Sequence, residues 1–203
     1  MYDERPGFYE EKLFSMHQIS IFEILLGRVQ KKRMVVRRRV YQRPIKLKFV
    51  SGETHYYKGT SYLLNVIYRN GFPKIVVQGD GHIDLYVREG STTEQREKVM
   101  TEWYRKQLKQ ELPSLIAKWE EVIGVKIKEY NVKQMKTRWG TCNVSARRIW
   151  INLELAKKPE HCLEYLVVHE MVHLLERKHN AHFKSQMDKF IPQWRTYRKE
   201  LKL

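Results

Sequence analysis

The chain has 203 residues, 42% hydrophobic and 12% aromatic, enough for a real core, and this composition excludes global disorder. Its length holds one sizeable domain or two small ones. A formal net charge of +16 excludes an acidic surface and leaves two readings, anionic partners such as nucleic acid or a plain solvated basic surface.

Only two cysteines, Cys142 and Cys162, are present. They make no disulfide framework and suit a reducing cytoplasm. No apolar run approaches the ~18 residues of a membrane span, and Met1-Tyr-Asp-Glu-Arg5 has no basic leader. The expected location is cytoplasmic, with no membrane partner.

In chain order, Phe14, Ile19, Ile21, Phe22, Ile24, Leu25 and Leu26 point to a helix without a clear cap. Lys31 to Lys48 then holds nine Lys or Arg and no acid, including Arg37, Arg38 and Arg39. That run reads either as a nucleic-acid contact or as a solvated face and linker. From Leu47 to Arg88 the texture is β. Short stretches Leu47–Val50, Thr54–Tyr57, Tyr62–Tyr68, Ile75–Val77 and Ile83–Val87 are separated by turn signals such as Asn70-Gly71 and Gly79-Asp80-Gly81. They predict a small antiparallel sheet of hairpins, with Tyr56, Tyr57 and Tyr62 as packing residues.

Ser91-Thr-Thr-Glu94 has the pattern of a capping box, and a long helix is expected over residues 93–122. Its apolar stripe is Val99, Trp103, Leu108, Leu112, Leu115, Ile116 and Trp119, and Pro113 is expected to kink or split it. Gly124 closes it and residues 125–132 alternate as a strand. Residues 136–142 and 147–153 read as two antiparallel strands joined by a turn. A helix is expected over 160–177 and a last one, kinked at Pro192, over 180–201. The fold class is therefore α+β. Three regions are expected: an atypical basic N-terminal segment 1–46, a β subdomain 47–90, and the remainder 91–203.

Chemistry concentrates in Leu166 to Phe183. His169-Glu170-Met-Val-His173 puts two imidazoles four residues apart, a little over one helical turn, so both project from one face and can grip one metal ion. Glu170, next to the first ligand, reaches a metal-bound water rather than the metal, which is the metal-plus-base arrangement of a zinc peptidase. Val167, Val168, Met171, Val172, Leu174 and Leu175 make this helix apolar nearly all round. Unpartnered histidines in such a helix would each carry a desolvation cost of several kcal/mol or so, which favours a metal over satisfied core histidines.

For the third ligand, His179 stands six residues after His173, about 240° around a continuous helix, so the chain must turn first. Glu176 to Asn180 is polar enough for that. His179 is preferred, and His182 is the rival. The H-E-x-x-H-x5-H spacing matches the metzincin pattern, except that Glu176 stands where that pattern has Gly. Glu176 is a further candidate as ligand or outer-shell partner.

Taken together, Thr137-Arg-Trp-Gly-Thr-Cys142, Arg148-Ile-Trp-Ile-Asn-Leu153, Val168-His-Glu-Met-Val-His-Leu174 and His179-Asn-Ala-His-Phe183 resemble the YgjP-like metallopeptidases, relatives of the SprT-like and minimal zincin-type proteases. The order of these motifs is far more specific than H-E-x-x-H alone. The resemblance runs from about Phe49 to the C-terminus; residues 1 to 27 depart from the strand-rich start of relatives, as a truncated or atypical N-terminus would. It implies a minimal zincin-like domain over 91–203 and one zinc ion held by His169, His173 and His179. Glu170 is the implied general base, and protein or peptide the substrate. His182, Arg138 and Tyr197 are the candidates for stabilising the oxyanion.

A reading of another class is a basic nucleic-acid-binding module with a structural or regulatory metal, contacting nucleic acid through Arg37, Arg38 and Arg39. The two combine as a protease recruited to DNA-bound proteins.

Overall fold

The computed structural model describes residues 47–201. The helix expected within residues 1–30 and the basic run with Arg37, Arg38 and Arg39 lie outside the described residues.

Alternating burial produces four strands, β1 (Thr54–Tyr57), β2 (Thr60–Tyr68), β3 (Lys74–Val77) and β4 (His82–Val87), in the order β1-β2-β4-β3. β1 pairs antiparallel with β2, and β3 with β4, as hairpins should. β2 and β4 run parallel, however, with Leu64 opposite Ile83 and Val66 opposite Leu85, so the sheet is mixed and not purely antiparallel. Burial supplies the reason. Ile83, Asp84, Leu85 and Val87 are all buried and draw β4 to the centre, while β3, entered through Pro73 and exposed at Lys74, takes an edge. Leu47–Val50 forms no strand and leads into a turn at Ser51 and Gly52. Phe49 has φ 54°, and the N–H groups of Lys48 and Phe49 donate to the Glu53 carboxylate at 2.8 and 2.7 Å.

α1 (Thr93–Ile123) is one unbroken helix of 31 residues. Its cap falls one residue later than the sequence reading. Thr92, not Ser91, accepts from the N–H of Gln95, whose side chain returns to the Thr92 N–H. Pro113 does not split it, because that position faces solvent, where the carbonyl deprived of its N–H partner stays hydrated. Met100, Tyr104, Leu108, Leu112, Ile116, Trp119 and Ile123 form the buried stripe at helical spacing. Gly124, at φ 77°, ends the helix in the left-handed conformation.

The second sheet has β5 (Glu129–Lys133), β6 (Gly140–Asn143) and β7 (Arg148–Asn152) in the order β5-β7-β6. β5 is shorter than the strand expected over 125–132 and runs parallel to β7; β6 and β7 form the expected antiparallel hairpin. A 3-10 helix (Leu153–Lys157) leads into α2 (Glu160–Val172), followed by α3 (Ala181–Phe190) and α4 (Trp194–Glu200). The helix expected over 180–201 is thus two helices. Ile191, held extended before Pro192 at φ −135° and ψ 84°, separates them.

The architecture is α+β, and one buried cluster runs from Leu64 and Leu85 through α1 and Ile151 to Val168 and Phe183. The hairpin tip between β1 and β2 anchors the entry to α2. The N–H groups of Lys58 and Gly59 donate to the carbonyls of Ala156 and Lys157 at 2.9 and 3.2 Å. A Cβ on Gly59 would lie 2.7 Å from Pro159 Cγ. Among the described residues no helix is long and apolar enough to cross a membrane.

Candidate metal centre

α2 carries the site because it is held on every side. Cys162, Leu163, Tyr165, Leu166, Val167, Val168, Met171 and Val172 are buried, and the helix touches α1, α3, α4, β6 and β7. It ends earlier than the sequence reading, at His173. Beyond that point the N–H groups of Leu174 and Leu175 take carbonyls only three residues back, at 3.0 and 2.9 Å, and tighten the chain into a turn. His173 keeps helical angles, φ −62° and ψ −18°, so it still projects beside His169. The turn is fixed by polar contacts. Glu176 Oε1 accepts from the N–H of Lys178 at 3.0 Å, and Asn180 caps α3 by accepting from the N–H of Phe183 at 3.0 Å. The chain thereby doubles back and brings His179 over α2.

The result is a tripod. One ring nitrogen from each of His169, His173 and His179 lies within 4.8 Å of the others, a group that could hold a metal ion. Nε2 of His169 is 3.0 Å from Nε2 of His179. Phe183, only 1% exposed, forms the floor, with its ring centroid 5.0, 4.8 and 4.7 Å from the rings of His169, His173 and His179. Nδ1 of His173 donates to the carbonyl oxygen of Glu176 at 3.1 Å, which fixes the tautomer that presents Nε2 as a lone pair. His169 has no such orienting hydrogen bond among the described residues; its ring is packed instead against Tyr165 and Phe183.

Electrostatics keeps these imidazoles neutral. Burial, then the neighbouring His173 and His179, pushes His169 down to about 3. Burial also lowers His173, against the opposing Glu176 carbonyl, and lowers His179. Three neutral imidazoles with converging nitrogens fit zinc. With Zn–N bonds of about 2.0–2.1 Å, two ligands of a tetrahedral ion sit ~3.3 Å apart, close to the His169–His179 separation.

Beside the tripod, Glu170 is 5% exposed, and burial pushes its carboxyl up to about 8 although Arg138 opposes the shift. β6 passes directly over it. A Cβ added to Gly140 would stand 2.7 Å from Glu170 Oε1 and 3.1 Å from both Cγ and Cδ. Gly140 has no positive φ, so the position demands glycine for space and not for backbone freedom.

Asn152 holds the loop before β6. It is buried, and its Nδ2 donates to the carbonyls of Met135 and Arg138 at 3.0 and 2.7 Å while Oδ1 accepts from the N–H of Met135 at 3.3 Å. An open cleft of about 660 Å³ results, lined by the tripod, Glu170, Arg138, Arg177 and residues 140–145. The Cys142 thiol within it is pushed up to about 11, first by burial and then by Glu170.

Of the residues singled out in the sequence, His169, Glu170, His173, His179 and Arg138 come together here. Glu176 contributes its main-chain carbonyl, while its carboxylate serves the turn. His182 is exposed on the first turn of α3 and Tyr197 stacks on His161 at 4.5 Å; neither lines the cleft. Gly140, Asn152, Arg177 and the floor role of Phe183 escaped the sequence reading. A glycine inside a strand was the one available signal, marking a close approach.

A family model described as YgjP-like, metallopeptidase domain, matches residues 23–203. The chain belongs to the YgjP-like metallopeptidase family. The family match starts at residue 23 and thus reaches further toward the N-terminus than the motifs beginning near Phe49 indicated. Among solved structures, the metallopeptidase zymogen abylysin of Pyrococcus abyssi is similar at 15% identity, with a TM-score of 0.41, over 44% of this chain and 90% of that one. No curated protein matches. The nucleic-acid reading rested on Arg37, Arg38 and Arg39, and nothing in the described part of this YgjP-like chain adds to it.

Proposed function

We propose that this chain hydrolyses peptide bonds using one zinc ion held by His169, His173 and His179, with Glu170 as general base. The observation that carries the reading is the convergence of three neutral imidazoles beside a single buried carboxyl, under an open cleft. Zinc supplies a Lewis acid that polarises a carbonyl and makes water a nucleophile near neutral pH. The remaining steps belong to the protein. Among the described residues β6 is the last strand of its sheet, and its outer edge offers backbone groups to an extended peptide, which would lay the peptide across Glu170. Glu170 takes a proton from the attacking water and returns it to the leaving amine. Burial raises this carboxyl in the metal-free site, whereas a zinc cation beside it would favour the carboxylate that a base requires. Of the three oxyanion candidates only Arg138, whose main-chain carbonyl is held by Asn152, lines the cleft.

The test is Glu170→Gln. Zinc content stays near one per chain by elemental analysis, while cleavage of an unstructured protein substrate drops at least ~100-fold. A Gln variant that cleaves as fast as the wild type removes Glu170 from the chemistry. Loss of zinc in His173→Ala checks the tripod in the same assay.

A further inference from the structure

Charge is distributed unevenly around the cleft. Among the described residues three arginines outside the cleft are ion-paired, Arg105 with Glu102, Arg148 with Glu129 and Arg195 with Asp188, while others such as Arg147 and Arg198 are not. Arg138 and Arg177, the two arginines of the cleft wall, make no side-chain hydrogen bond or ion pair among the described residues, though both side chains are exposed. They enter from different elements, Arg138 from the loop before β6 and Arg177 from the turn after α2. Glu176, the natural partner for Arg177, is turned away and spends its carboxylate on Lys178 N–H and Asn180. The rest of the wall, Thr141 to Ser145, is neutral. The one acid lining it, Glu170, is buried.

We infer that the cleft selects peptides carrying Asp or Glu side chains on both sides of the scissile bond, with Arg138 and Arg177 as their receptors. Guanidinium groups suit this task because each offers a planar fork that matches a carboxylate with two parallel hydrogen bonds. Because neither is ion-paired among the described residues, no such pair there must break when substrate arrives. A cation on the tripod adds to the same positive field, which a concave wall concentrates.

This inference rests on the peptidase reading, and the experiment separates the two. Matched peptides bearing Glu or Gln at the flanking positions are cleaved by the zinc-loaded full chain, and kcat/KM is compared at low and high salt. We expect the Glu peptides to be favoured about tenfold at low salt, mainly through KM, and the ratio to shrink as salt rises. Arg177→Glu should reverse the preference toward lysine-bearing peptides, and Arg177→Lys should keep part of the original ratio. Binding of the same peptides to the zinc-loaded Glu170→Gln protein, read by fluorescence anisotropy, needs no turnover. If no peptide is cleaved but Glu peptides still bind better in an Arg177-dependent way, the peptidase reading fails and the acidic preference stands. Equal kcat/KM and equal binding for Glu and Gln peptides overturn the inference. So does a short oligonucleotide that binds the cleft more tightly than any Glu peptide and displaces it.

Discussion

Replacing Gly140 by Ala is the sharpest probe of how the edge strand and the buried Glu170 carboxyl fit together. The new Cβ would stand 2.7 Å from Glu170 Oε1, where ordinary contact begins at 3.4 Å, so about 0.7 Å must be found by moving the carboxylate or the strand. Cγ and Cδ, each at 3.1 Å, close the easy escape routes. Overpacking of this kind costs about 1–3 kcal/mol of stability. A misplacement of ~1 Å in a reacting group costs ~100-fold in rate, so a loss of tenfold to a hundredfold in kcat is expected. The tripod is untouched by the new methyl, so zinc stoichiometry should stay near one. The clash is specific to one side chain, which makes a double-mutant cycle decisive: in a Glu170→Ala background the stability cost of Gly140→Ala should largely vanish. Cleavage rates, zinc content and urea unfolding of the four proteins measure all of this. A Gly140→Ala protein with wild-type rate and stability would refute the close-approach argument. An undiminished stability cost in the Glu170→Ala background would place the clash elsewhere.

Three further outcomes are expected. In the metal-free protein Glu170 binds its proton more tightly when folded, about 8 against the ordinary 4.5, so its contribution to stability is full below pH 4.5 and is lost as pH rises through 8. The melting temperature of chelator-treated Glu170→Gln should therefore gain on wild type between pH 5 and pH 8, by at most ~1.4 kcal/mol per pH unit; a constant difference would show that the carboxyl is not raised. The three imidazoles are all held below the ordinary 6.5, so zinc should remain bound as pH falls through 6.5 and leave only on stronger acidification, whereas release centred at 6.5 would contradict the buried tripod. Phe183→Ala removes the floor under all three ligands and should cost ~3–5 kcal/mol while weakening zinc affinity, with Phe183→Leu milder on both counts in a chelator competition.

The sequence by itself determined what depends on short-range periodicity. Leu108, Leu112, Ile116 and Trp119 of the buried stripe of α1 follow from apolar residues at helical spacing, although Met100, Tyr104 and Ile123 are buried where Val99, Trp103 and Leu115 were expected. The pairing of His169 with His173 follows from a four-residue interval on one helix. Both are properties of a local conformation and need no knowledge of what packs against it. Turn signals likewise located β1 with β2, and β6 with β7, as hairpins. The tertiary structure decided whatever depends on which segment comes to lie against which. β4 lies beside β2 because its buried residues compete best for the sheet centre, a comparison that no single strand contains. His179 reaches the other two histidines only because the turn at Leu174 to Asn180 is tightened, hydrogen-bonded and capped. Gly140 matters through a side chain thirty positions away, Asn152 through a loop it grips from the far side of the hairpin, and Arg177 through a partner that faces elsewhere. Spacing sets which residues share a helix face, but the distance between two elements comes only from the packing of the whole core.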